Sequence, residues 1–469
     1  MPRSFLLSLL AWASVCSAAT RPNIVFIFAD DQRADTIAAL GNPVIQTPHL
    51  DRLVQRGLSF THAYMQGGNH GATCVPSRAM LLSARPYFHV DEKLLRDETW
   101  PHALGQAGYA TMAAGKWHNG AASVGRSFQV AKSIYLGGMT NPLTAPISDL
   151  LPTGKMSAAR LSPQHLCAAA TDEAIAFIQA QAGQRPFYVH LAFDGPHDPH
   201  VVPADFPLVY DPAKIPLPAN FLPQHPFNNG EMTVRDEQLL PWPRPPAAIR
   251  SMLADYYRYI TYLDGQIGRV LAAVDASPAA ANTLIVFAAD SGVARGSHGL
   301  IGKQNLYEHS VRVPLIIAGP GVPQNQRTAA LCYLFDVLPT LGKLCQAPAP
   351  ATSEGREFSA LFGNPALPHR AQLFFGYRNV QRALSDGRWK LIRYPQIGRT
   401  QLFDLQQDPH EINDLAALPA YAPRVATMLT RLAEEQAAVG DLQPLTVAKP
   451  TADAWTPPKK LPKAGETGY

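Results

Sequence analysis

Asn23-Ile24-Val25-Phe26-Ile27-Phe28-Ala29-Asp30-Asp31 is the stretch that decides the architecture of this chain. Its apolar part is continuous rather than alternating, and it is rich in β-branched and aromatic side chains. A strand with one wet face alternates. A continuous run predicts a strand covered on both faces, as in a mostly parallel sheet between layers of helix. The run stops abruptly on two carboxylates. Ligands of open α/β sheets bind beyond the carboxyl ends of the strands, so this one segment points to both the fold and the site.

Similar runs follow at residues 111–114, 187–193, 283–289 and 315–318. Helical stretches separate them. The clearest covers residues 249–274, where Tyr256, Ile260, Leu263, Ile267 and Leu271 share one face. Another covers 171–181. Strands alternating with helices predict an α/β fold. Polar residues gather where the strands end: Lys116-Trp117-His118 after the second run, Asp194 and then Pro196-His197 after the third, and Asp290 after the fourth. Four such coincidences predict one shared site.

The pattern changes near residues 354–371. Short strand-like pieces at 372–377, 381–385 and 389–394 follow, with Asp386-Gly387 as a hairpin turn between the last two. A helix over 421–439 comes next, and the Pro- and Lys-rich tail from Pro444 reads as extended. The expected organisation is a leader over 1–19, a catalytic domain over 20–365, a smaller antiparallel subdomain over 366–443 and a tail over 444–469.

With 469 residues, 46% of them hydrophobic, the chain can bury a large core without disulfides or a structural metal. Its net charge of +4, from 40 basic and 36 acidic side chains, is too mild and too scattered for a nucleic-acid partner. Arg3, the apolar run from Phe5 to Trp12 and Ser17-Ala18-Ala19 read as a signal peptide. That run is too short to span a bilayer, so the expectation is export to the periplasm or the extracellular space. The five cysteines, Cys16, Cys74, Cys167, Cys332 and Cys345, show no close-spaced zinc pattern. Cys332 and Cys345 lie in apolar sequence and read as buried free thiols.

Cys74-Val75-Pro76-Ser77-Arg78 joins a loop, Gly67-Gly68-Asn69-His70-Gly71, to helix-like sequence. A cysteine at a helix amino terminus, with an arginine one turn on, favours an anionic nucleophile or an anionic ligand. The plainer reading is a small buried residue. Adjacent Asp30 and Asp31 repel each other if both are buried and charged. A hard cation resolves that conflict, and oxygen ligands suit calcium or magnesium. Asp290 is the natural third ligand, with capping or salt bridging as the alternative.

These residues together resemble the formylglycine-dependent sulfatases. Cys74-Val75-Pro76-Ser77-Arg78 matches the family's Cys-x-Pro-Ser-Arg run. It is accompanied, in the family's order, by residues 21–25 leading to Asp30-Asp31, by Gly115-Lys116-Trp117-His118, by Pro196-His197-Asp198-Pro199-His200, and by Gly302-Lys303 with Glu308-His309. The resemblance extends from about Arg21 to Leu415. It implies an alkaline-phosphatase-like α/β/α sandwich with a mostly parallel central sheet and a smaller carboxyl-terminal domain.

It also implies chemistry. Cys74 would be oxidised to formylglycine (3-oxoalanine) by a formylglycine-generating or sulfatase-maturating enzyme. One hydroxyl of the hydrated aldehyde would attack sulfur, giving a sulfated enzyme. The other would expel sulfate, a form of covalent catalysis. One calcium would be bound by Asp30, Asp31, Asp290, the Cys74-derived group and the residue after Asp290. That last position departs from the family's usual Asn, Gln or His: it is Ser291. Arg78 would pair with the nucleophile and the metal carboxylates, and Lys116 and Lys303 would hold sulfate oxygens. His197 would protonate the leaving alkoxide, and His118 would serve the diol as base. Asp194 and His200 flank His197, and Arg235 lies in the Pro-rich segment 203–246, so all three are candidates for contact with a sulfated saccharide. The competing activities are a phosphonate or phosphodiester monoesterase of the same fold and, because of Ser291, a non-catalytic binder of sulfated glycans.

Overall fold

The computed structural model describes residues 21–458. The leader reading and Cys16 fall outside the described residues.

The central sheet is built on eight main strands: β1 (Asn23–Ala29), β2 (Gly57–Tyr64), β3 (Ala110–Lys116), β4 (Val130–Tyr135), β5 (Phe187–Ala192), β6 (Thr283–Ala289), β7 (Arg312–Ala318) and β8 (Gln326–Thr328). Their spatial order is β8-β2-β7-β6-β1-β5-β3-β4, and Cys332–Tyr333 adds a short parallel pairing to β2. β1 lies in the middle, in register with β5 on one side and β6 on the other, both parallel. β7 alone runs antiparallel, against β2 and β6.

Each face of β1 is dry. Val25, Ile27 and Ala29 pack under the helices Pro48–Arg56 (α1), Leu166–Gln181 (α3) and Pro246–Asp275 (α4). Ile24, Phe26 and Phe28 pack on the opposite face with Cys74–Ser83 (α2) and the helix Val337–Leu344. All seven β1 residues are buried, which is why the run shows no alternation. The chain therefore forms the α/β/α sandwich expected from sequence.

Strands β2, β4 and β8 are absent from the sequence reading, β8 being three residues long at the sheet edge. β2 carries Ser59, Thr61 and His62 among its apolar residues, and β4 interleaves Lys132 and Ser133 at the sheet edge. α3 begins five residues earlier than 171, because Leu166 to Ala170 are buried on every side and show no helical stripe.

The carboxyl-terminal sheet consists of β9 (Leu373–Tyr377), β10 (Gln381–Ser385), β11 (Trp389–Tyr394) and β12 (Arg399–Asp404), paired antiparallel. Gly387, at φ +89°, turns the chain between β10 and β11. Phe374, Leu384, Leu391 and Leu402 pack against Met428 and Leu432 of the helix Ala422–Ala438. Sequence reading misses β12, and it misses a fifth member: Gly67–Gly68, from the amino-terminal half, pairs parallel with β9. This pairing ties the second sheet to the loop that leads into Cys74. Gly67 has φ +129°, and a Cβ there would sit 1.8 Å from the carbonyl oxygen of Gly376. Gly67→Ala is expected to cost more than about 2 kcal/mol in chemical denaturation, with activity falling as the Cys74 loop shifts.

Candidate active site

The site lies at the carboxyl ends of β1, β3, β5 and β6. Asp30 and Asp31 follow β1, Lys116 is the last residue of β3, His197 follows β5 by a few residues and Asp290 follows β6. Parallel strands end on the same edge, so side chains far apart in sequence converge there. Asp31 and His118 adopt left-handed conformations, φ +62° and +64°. Non-glycine residues held in this region cluster at functional sites.

Cys74 is the first residue of α2 and is 1% exposed. Its Sγ lies 3.1 Å from Nδ1 of His118. One turn on, Arg78 clamps the carboxylates: Nε donates to Asp290 Oδ2 at 2.9 Å, and a terminal nitrogen donates to Asp30 Oδ2 at 3.0 Å. Ser77 Oγ donates to the backbone carbonyl of Asp290 at 2.6 Å. Two residues of the Cys-x-Pro-Ser-Arg run thus lock the helix that begins at Cys74 onto the loop after β6.

Lys116 Nζ rests on Asp30 and donates to Gly138 O at 2.6 Å. Lys303, on the loop between β6 and β7, donates to Asp31 Oδ1 at 2.6 Å. His197 Nε2 lies 3.6 Å from Asp31 Oδ2. Ser291 Oγ donates to Asp31 Oδ1 at 2.8 Å. Ser291 is therefore within the carboxylate cluster, where its hydroxyl proton orients Asp31.

Burial would raise the Asp30 pKa, but Lys116 and Arg78 hold the carboxyl well below the usual range. Burial and the neighbouring Asp30 push Asp290 up to about 6. Burial pushes the Cys74 thiol up to about 11, outweighing Lys116 and Lys303. Of the readings open for Cys74, an anionic nucleophile, an anionic ligand nearby or a small buried residue, burial works against ionisation of the thiol itself. Burial, reinforced by Lys116, holds His118 down at about 2. The imidazole is thereby held in its neutral form.

A hard cation fits the carboxylates. Ligand atoms of Asp30, Asp31 and His197 lie within 4.8 Å of one another, as do those of Asp30, Cys74 and Asp290. Asp30 Oδ1 is buried with no hydrogen-bond partner, as expected for an oxygen awaiting a cation.

The cleft above Cys74 encloses about 230 Å³ and is lined by His118, His197, Lys303, Gly138, Met139 and Arg235, among others. Arg235 is thus brought to the site, as expected. His200 and Asp194 are not among its lining residues. His200 accepts from Arg295 at 3.2 Å and packs on Tyr256. Asp194 faces α3, accepting from the Cys167 thiol at 3.0 Å. Asp236, beside Arg235 in the Pro-rich segment expected to wall the pocket, also lines the cleft. Sequence reading missed Met139 and Gln304, which are uncharged and lie on loops without periodic pattern.

A family model described as Sulfatase matches residues 22–347. The chain belongs to the sulfatase family. A second model, N-sulphoglucosamine sulphohydrolase, C-terminal, matches residues 296–438. An ulvan-active sulfatase from Formosa agariphila is 27% identical, over 90% of this chain and 82% of its own. Among solved structures, one in complex with its substrate D-glucosamine-2-N,6-O-disulfate superposes with a TM-score of 0.76. It is 22% identical and covers 91% of this chain and 99% of its own. A phosphonate monoester hydrolase from Silicibacter pomeroyi superposes with a TM-score of 0.69, also at 22% identity, over 90% and 96% of the two chains. These structural likenesses are to the fold. The sulfatase chain described here is an enzyme of that family, and its four buried thiols, Cys74, Cys167, Cys332 and Cys345, are unpaired among the described residues.

Gly138 supports both halves of this sulfatase site. Its carbonyl receives Lys116, and a Cβ on it would lie 2.6 Å from Cε1 of His118. Gly138→Ala is expected to lower kcat by roughly 10- to 100-fold, as misplacement of catalytic groups does, while circular dichroism shows an unchanged fold.

Proposed function

We propose that this sulfatase removes sulfate from a sulfated carbohydrate, using a formylglycine made from Cys74 and one bound calcium. The observation that carries the reading is the meeting of Cys74 with His118, Lys116, Lys303 and His197 at one sheet edge. Formylglycine, once hydrated, supplies an oxygen nucleophile for sulfur and a second hydroxyl that allows sulfate to leave, chemistry closed to a thiol pushed up to about 11. Asp30, Asp31 and Asp290 would hold the calcium, which would supply positive charge at the sulfate end of the cleft.

The chain's own groups divide the remaining work. Lys116 and Lys303 stand beside the nucleophile and are placed to stabilise charge on sulfate oxygens. Neutral His118, 3.1 Å from Sγ, is placed to take a proton from the nucleophile. His197, whose Nδ1 lies 2.7 Å from the backbone carbonyl oxygen of Asp198, presents Nε2 to the cleft and is placed to protonate the leaving alkoxide. The carbohydrate class is supported by the named activity of the Formosa relative. A maturating enzyme acting on Cys74 and export through the leader belong to the same reading.

Mass spectrometry of the Cys74 peptide from the native host is expected to show the aldehyde, and an intact thiol throughout would overturn the mechanism. Cys74→Ala is expected to lower kcat by at least ~10³-fold with the fold intact. Aryl sulfates are expected to turn over faster than aryl phosphates and phosphonates; the reverse order would replace the sulfatase activity by a phosphonate monoesterase one. Calcium added to chelator-treated protein is expected to raise Tm in proportion to its occupancy. No shift with calcium would remove it from the site.

A further inference from the structure

We infer that the outer part of the cleft selects sulfate esters whose leaving alcohol is uncharged near the scissile bond, and rejects those bearing a second sulfate or a carboxylate there. The inference rests on the sulfatase reading and narrows its substrate class.

A second anionic group needs a cation to receive it. The described lining offers two permanent ones, Lys303 and Arg235. Lys303 is buried against Asp31, at the sulfate end. Arg235 stands at the outer end, and both its terminal nitrogens are already engaged. It donates through both terminal nitrogens to the two oxygens of Asp198 and lies 2.6 Å from Asp236. Arginine recognises carboxylates through this planar fork, and here the fork of terminal nitrogens is closed on two aspartates and is not open to a substrate carboxylate or sulfate. Asp198 also lies 3.9 Å from the buried Arg295, so the carboxylates and guanidiniums here offset one another and leave no unpaired cation in the described cleft lining.

The neighbouring groups do not change that balance. Gln304 spends its amide on Gly71 O at 2.9 Å and on Asp236 Oδ2 at 2.7 Å. His70, next to the lining residue Gly71, lies 2.8 Å from Glu92. The rest of the outer wall is Gly71, Ala72, Gly138 and Met139. Met139 is 49% exposed, and its sulfur accepts from Arg235 at 3.0 Å. A thioether with small residues suits the C–H face of an uncharged ring. An anionic substituent there would shed water beside Asp236, and the one guanidinium within the lining is already shared with carboxylates, the arrangement that rejects a competing ligand. The same geometry reassigns Arg235: it holds Asp198 behind His197 and does not receive substrate anions.

The test compares two aryl sulfates that differ only in a ring carboxylate or its carboxamide, with protein carrying the aldehyde at position 74. Each rate is divided by its uncatalysed hydrolysis rate. The expected result is a kcat/KM for the carboxamide at least about tenfold above that of the carboxylate, with a gap that narrows as salt is added. Asp236→Asn removes one negative charge and is expected to shrink the ratio several-fold. If that variant does not fold, the comparison in the parent protein and its salt dependence decide the matter. Equal rates, or faster turnover of the carboxylate, would overturn the selectivity while leaving the sulfatase activity standing. No turnover of either ester would overturn the sulfatase reading itself.

Discussion

Three carboxylates, Asp30, Asp31 and Asp290, are buried together at the end of the central sheet, all at 2% exposure or less. Like charges in a dry environment repel strongly, and each also loses hydration on burial. The surrounding structure supplies the compensation. Arg78 bridges Asp30 and Asp290, Lys116 rests on Asp30 and Lys303 rests on Asp31. The three cations come from α2, β3 and the loop after β6, so the requirement to neutralise the carboxylates pulls separate parts of the chain to one point. The residual misfit is the buried, unpartnered Asp30 Oδ1. That oxygen is the structural argument for a cation.

The same burial determines what Cys74 can be. A thiol near two lysines and a helix terminus would ionise readily if water reached it. Enclosed beside Asp30 and Asp290, it is instead pushed up to about 11. The thiol is thus a poor nucleophile where it stands, and its location is useful only if a different functional group occupies it. His118 is neutral for the same reason, since burial and Lys116 oppose its charge. Burial therefore separates the site into charged groups that are paired and groups that it holds neutral.

Much of this was legible in the chain. A continuous apolar run ending in Asp30-Asp31 identified the central strand, because a strand buried on both faces cannot alternate. The polar residues just past the runs marked the shared edge, because parallel strands bring their carboxyl ends together. The strands that escaped, β2, β4, β8 and β12, are interrupted by polar residues or lie at sheet edges, where solvent tolerates such residues. Gly67–Gly68 escaped because a two-residue pairing has no period. Asp194 and His200 show the limit for side chains: a residue's place in a loop does not reveal its partner. Asp194 turned to the Cys167 thiol, and His200 to Arg295.

Sequence by itself determined the layered α/β fold, the edge at which the site forms and the residue types gathered there, since periodicity and strand ends are local properties of the chain. It also carried the resemblance that placed Cys74 among sulfatase nucleophiles. Tertiary structure alone decided the sign and state of those groups: a protonated thiol, a neutral His118, a Ser291 hydroxyl spent on Asp31 and an Arg235 with both terminal nitrogens engaged. Ionisation and hydrogen bonding depend on desolvation and on partners dozens to hundreds of residues away, and those distances exist only once the sheet has brought its strand ends together.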